Sequence, residues 1–244
     1  MDQQERNSKL ISSYHRNLPH WVPPDAVFFV TFRLADSLPR TVLQELAEQR
    51  EREREALRVS YSGAQQTEML YKLDKKYFGA YDAWLDRCFE SSPRWLAEPH
   101  IASLVADAIH KLDGKRYNLI AYTIMPNHAH LQIDTNGYSV AAAHQGVTAP
   151  YPLTDTLKQL KGSTARACNL ALGRSGQFWH HESYDHVVRD AGENERIFWY
   201  ILNNPVKAGL TARWEDWRWT YSKFSGSRNS ELIPSYDDDK LEGE

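Results

Sequence analysis

YNLIAYTIMPNHAHLQID, residues 117–134, is the stretch whose reading decides the fold. Tyr117–Ile124 is rich in β-branched and aromatic residues and reads as a strand. MPN makes a tight connection, and His128–Asp134 returns as the antiparallel partner. Upstream, Pro99–Leu112 carries apolar residues at Ile101, Leu104, Val105, Ala108 and Leu112, an amphipathic-helical spacing that Gly114 stops. Further back, AVFFVTF from Ala26 to Phe32 reads as another strand. Downstream, Asn136–Pro152 lacks any period and is expected to be a surface loop, and Leu153–Leu172 is a helix. Ser183–Arg189 then reads as a strand, and Glu193–Asn204 as a helix stopped by Pro205. Strand, helix, strand, strand, helix, strand is the split βαβ pattern of an α+β, ferredoxin-like antiparallel sheet. The pattern hosts many functions and names none of them.

Composition narrows the class. In 244 residues, 41% are hydrophobic and 25% charged, which is ordinary for a globular chain. The longest apolar runs are too short to span a bilayer, and the polar start MDQQERNSKL lacks the apolar core of a secretory signal. Cys88 and Cys168 lie too far apart in sequence for a zinc pair, so a reducing cytoplasm is the expected location. A net charge of −3 argues against a broad coat of DNA-binding lysines but leaves room for a local basic groove.

Between the first strand and the first amphipathic helix, about residues 40–95 read as a helical insertion. Thr41–Arg58 forms a charged helix whose EQREREREALR run is a solvated face, and Met69–Arg87 packs back on it. Residues 1–20 are expected to be a flexible arm and 226–244 an acidic, disordered tail, leaving one domain over 21–225.

Two constellations carry chemistry. His128 and His130, at i and i+2 on a strand, point to one face with Cα atoms roughly 6–7 Å apart, so both imidazoles can reach one divalent cation. By itself an HxH pair also fits two unrelated histidines. Tyr200 and Asn204, at i and i+4, share a helix face, which fits either a nucleophile with a metal ligand or a packing tyrosine with a helix-end amide.

Taken together with FWHHESYDHVVRD (178–190) and ERIFWYILNNPVKAGL (195–210), the quoted stretch resembles the REP-associated tyrosine transposases of the single-tyrosine HUH class. The likeness covers AVFFVTFRLADSLP near the start and about residues 99–222, and excludes the helical insertion and both ends. One departure is Ala129, where the signature usually has Val; that side chain faces away from the histidines. The resemblance implies an HUH nuclease core with a C-terminal catalytic helix. His128, His130 and Asn204 would hold Mg²⁺ or Mn²⁺, and Tyr200 would be the nucleophile. It also implies cleavage and rejoining of single-stranded DNA near hairpins through a 5′-phosphotyrosine, in transposition, by a monomer or homodimer. Tyr184, in the family-like SYDH phrase, is the rival nucleophile; it lacks a polar i+4 partner.

Other positions stay open between DNA contact and a structural role. Lys158, Lys161 and Arg166 lie on the helix before GRSG, His186 and Arg189 in YDHVVR, and Lys207 in NPVKAGL. Trp179 is expected to anchor its strand in the core. Two alternatives compete with the transposase reading. His128, His130 and Gln132 form an HxHxQ track like that of histidine-triad nucleotidyl transferases, and a hairpin-binding protein without catalysis needs none of the four chemical residues.

Overall fold

The computed structural model describes residues 26–138 and 152–225. The expected N-terminal arm, most of the 136–152 loop and the acidic tail lie outside the described residues. Five strands form one antiparallel sheet: β1 (Val27–Arg33), β2 (Asn118–Ile124), β3 (His128–Asp134), β4 (Tyr184–Val187) and β5 (Thr220–Ser222). Their order is β4-β1-β3-β2-β5, the ferredoxin-like arrangement with one strand added at the β2 edge. The sequence reading did not anticipate β5, a three-residue strand paired to β2 and steadied by Tyr221 stacked on Tyr122 at 5.5 Å.

Both sheet faces are covered, which is why β1 is buried along almost its whole length. Phe28, Val30 and Phe32 join Ala129, Leu131 and Ile133 on one face. Against them lie α3 (Pro99–Leu112) and α4 (Pro152–Ala171). Helix α3 starts on Pro99, which suits its missing N–H to the first turn, and buries Ile101, Val105, Ile109 and Leu112. Each such aliphatic side chain contributes roughly 1.5–3 kcal/mol of burial. Trp179 is buried there too, its ring N–H donating to Thr164 Oγ1 at 2.8 Å, as expected of a core anchor.

The opposite face is different in kind. It carries Thr31, Arg33, Thr123, His128, His130 and Gln132, all buried. A buried polar row on a sheet marks a face kept for something other than packing. Over it lie α5 (Ala191–Lys207) and a hairpin of two helices, α1 (Arg40–Ser60) and α2 (Gly63–Cys88). The hairpin is the helical pair expected for 40–95. Its inner seam includes Val42, Leu46 and Arg50 of α1, the last paired with Asp74 at 2.7 Å, while the Glu/Arg run is mostly exposed.

Helix α5 corrects the expected stop before Pro205. The helix passes through that proline to Lys207. So near the C-terminus, the missing N–H forfeits one backbone bond to a helix already ending. The real terminator is Gly209, with φ 70°. Its N–H reaches Val206 O and that of Leu210 reaches Pro205 O, both at 2.9 Å, a Schellman closure. A Cβ at Gly209 meets nothing within 4 Å, so Gly209→Ala tests backbone conformation alone. It is expected to cost about 1 kcal/mol, read as a lower urea midpoint with unchanged slope.

Candidate metal and nucleophile site

His128 and His130 project from β3 beneath α2 and α5, with no more than 1% of either residue exposed. Their Nε2 atoms lie 3.0 Å apart. The partners behind the rings fix which nitrogen faces inward. Asn127 donates its amide N–H to Leu85 O at 3.0 Å, which leaves its Oδ1 to accept from His128 Nδ1 at 2.7 Å. His128 Nε2 is therefore a lone pair. Thr31 Oγ1 pairs with His130 Nδ1 at 2.7 Å and fixes the orientation of that ring. Burial first, and then His130, lowers His128 to about 3, so its imidazole is neutral near pH 7.

The residue that sequence reasoning missed is Asp82, on α2 and fully buried. Its Oδ1 lies 3.3 Å from His130 Nε2 and 3.8 Å from His128 Nε2, without a well-formed hydrogen bond. Its Oδ2 accepts from the Tyr200 hydroxyl. One carboxylate thus faces the imidazole pair with one oxygen and holds the phenol with the other. Burial by itself would raise Asp82, yet the His130 and His128 contacts and the Tyr200 hydroxyl outweigh it and hold the carboxyl low. For Tyr200 the effects add: burial, then the Asp82 charge, push the phenol well above its usual range.

The donor set fits a divalent cation. Asp82, His128 and His130 each offer one atom within 4.8 Å of the others. Bond lengths of roughly 2.0–2.1 Å at right angles place neighbouring donors about 3 Å apart, near the spacing seen here. Asn204, one turn after Tyr200 and 1% exposed, has neither amide atom hydrogen-bonded among the described residues. An unsatisfied buried amide costs roughly 1–3 kcal/mol.

Tyr200 meets His130 with ring centroids 5.6 Å apart, so the final helix and the β2–β3 hairpin do converge. Tyr184 stands on edge strand β4, stacked on Phe78 at 4.1 Å. Gln132 turns away from the histidines, its amide donating to Asn194 O and Oδ1 at 3.0 and 2.8 Å.

The basic residues divide. Lys161 donates to His180 O, His181 O and Ser183 Oγ, clamping the approach to β4. Lys158 is exposed near Asp155, and Arg166 is exposed. Lys207 lies 3.9 Å from Asp86 and 5.6 Å from the Tyr200 ring centre. Asp86 is itself raised to about 6 by burial and by Asp82. His186 and Arg189 join a latch between α2 and the start of α5. Tyr71 donates to Glu193, and His186 Nε2 sits 3.2 Å from the same carboxylate. Arg189 covers the Tyr71 ring at 3.1 Å and pairs with Glu68 at 3.6 Å.

Burial would raise Glu193, but the nearby His186 ring, the Tyr71 hydroxyl and the Arg189 N–H win and lower it to about 2. A folded value below the unfolded one gives stability that is present above about pH 4.5 and lost as pH falls through about 2. Glu193→Gln is therefore expected to lose on the order of 2 kcal/mol at pH 7 and to show a flatter acid limb. Urea midpoints from pH 7 to pH 2 check this; parallel curves for both proteins would contradict it.

Fold and donor set together define an α+β protein of ferredoxin-like topology with a buried carboxylate–bis-imidazole centre beside a tyrosine. Neither protein-family models nor curated proteins give a match to the chain. Among solved structures, the fold is similar to that of a REP-associated tyrosine transposase bound to a REP hairpin. The two are 16% identical, with 93% of this chain and 92% of that chain covered and a TM-score of 0.51.

Proposed function

We propose that this protein is a metal-dependent tyrosine strand transferase acting on single-stranded DNA near hairpins, with Tyr200 as nucleophile. The observation that carries the reading is the shared carboxylate, Asp82, which joins the imidazole pair to the Tyr200 hydroxyl. The fold likeness to a hairpin-bound transposase supports DNA as substrate.

His128, His130 and Asp82 would hold Mg²⁺ or Mn²⁺, with Asn204 as a further ligand. Such a cation supplies polarisation of a nonbridging phosphate oxygen and stabilisation of developing charge. The protein's own groups do the rest. Asp82 orients the Tyr200 hydroxyl beside the imidazoles. Because its carboxyl is held low and the phenol high, the proton stays on Tyr200 at rest. In attack, the Tyr200 oxygen forms a bond to phosphorus and gives up its proton. The bond from phosphorus to the 3′-oxygen breaks, and that oxygen leaves as a protonated 3′-hydroxyl. The 5′-phosphotyrosine keeps the bond energy, so a second 3′-hydroxyl can reverse the step and join strands. Both imidazoles are buried beneath α2 and α5.

A labelled pool of single-stranded hairpins, incubated with Mn²⁺ or with EDTA, tests the reading. Nicked DNA together with protein-linked DNA, in Mn²⁺ alone, is the expected result. Binding without a nick would leave only a hairpin-binding protein, and nucleotide–histidine adducts in EDTA would favour the HxHxQ alternative.

A further inference from the structure

Beside the site, where the α1–α2 hairpin meets the chain entering β4, lies a cavity of about 170 Å³. Tyr77, Phe78 and Tyr81 of α2 line it, together with His180 and Glu182 from the segment that leads into β4 and Tyr184 at its start. Asp82, His128, His130, Asn204 and Tyr200 are not part of its lining. Its volume is below the roughly 300–1,000 Å³ of pockets that take drug-sized ligands, which suits a single planar ring system. The lining matches that shape. Tyr77 and Tyr81 stack at 6.4 Å, and Phe78 and Tyr184 at 4.1 Å. His180 is lowered to about 4 by burial and then by Arg33, which keeps a neutral imidazole, able to donate or accept, on the wall. Tyr81 is steadied by Arg33 Nε, which donates to its hydroxyl at 2.7 Å.

The cavity's position matters as much as its lining. The Phe78 ring, one of its walls, lies 6.2 Å from the Tyr200 ring and 6.5 Å from His130. Tyr184 contacts Phe29, which in turn lies 5.9 Å from Tyr200. A single aromatic layer, Phe78 and Phe29, therefore lies between the cleft and Tyr200. We propose that this cleft binds one unpaired nucleobase next to the scissile phosphate, stacked on the hairpin tyrosines and met at its edge by His180 and Glu182. The hairpin then becomes part of the substrate site, and a preference for the flanking base is set there.

The proposal rests on the DNA-processing reading, and its test separates the two. The full-length protein in EDTA is mixed with a single-stranded hairpin pool in which 5-iodouracil replaces thymine, then irradiated and digested for peptide mapping. Filter retention of the same pool measures binding independently. Crosslinks on peptides carrying Tyr77, Tyr81, His180 or Tyr184 are expected. Tyr77→Leu, which keeps an apolar side chain but no ring, should weaken retention on the order of ten-fold and remove the Tyr77 crosslink. DNA retained with every crosslink elsewhere overturns the cleft and leaves the strand-transfer reading standing. No DNA retained overturns both.

Discussion

Tyr200→Phe is expected to abolish the protein–DNA adduct while leaving hairpin binding within about three-fold, a loss of at least about 10³-fold in adduct rate. Phe fills the same space against Phe29 and Phe78 but has no oxygen to bond to phosphorus. The substitution also has a stability signature. Asp82 Oδ2 loses the hydroxyl that donates to it, inside a fully buried site. Leaving that acceptor unpaired costs about 1–3 kcal/mol, so Tyr200→Phe should melt lower than wild type without metal. Added Mn²⁺ should recover part of the difference, since it satisfies the same carboxylate. Tyr184→Phe separates the two hydroxyls: it keeps the ring that stacks on Phe78 and lines the cleft and loses only its oxygen, so adduct formation should persist.

His130→Ala carries the second large effect. The ring supplies an Nε2 donor 3.0 Å from that of His128 and is held from behind by Thr31. Losing an outer partner of a metal ligand already costs roughly 10–100-fold in affinity, so losing the ligand should cost at least about 100-fold. Mn²⁺ titration followed by electron paramagnetic resonance measures this without reference to activity. Asp82→Asn keeps the size of the side chain and removes its charge; a loss on the order of ten-fold is expected. Unchanged Mn²⁺ affinity in both variants would remove the metal centre from this pocket.

Much of this was legible in the chain. The β2–β3 hairpin declares itself through its β-branched and aromatic residues and the MPN turn, and a period of two puts His128 and His130 on one face. A period of 3.6 does the same for Tyr200 and Asn204. What sequence spacing cannot convey is which distant helix lies over a sheet face, and so Asp82 went unread. A signal was present. Phe78, Asp82 and Leu85 occupy one buried stripe of α2, and a carboxylate in an apolar stripe is rarely there for packing. The charged run of α1 marks only the hairpin's solvated face. His186, Arg189 and Lys161 were equally ambiguous, because spacing does not reveal the partner each meets in the fold: Glu193 for His186, Tyr71 for Arg189, and the His180 and His181 carbonyls for Lys161.

The most direct test is to map the covalent linkage in the wild-type protein. After reaction with a 5-iodouracil-free, labelled hairpin pool and Mn²⁺, protease and nuclease digestion should leave a nucleotide phosphate on the peptide containing Tyr200, and none in EDTA. A phosphate on Tyr184, or on His128 or His130, would contradict the assignment of Tyr200 as the attacking group.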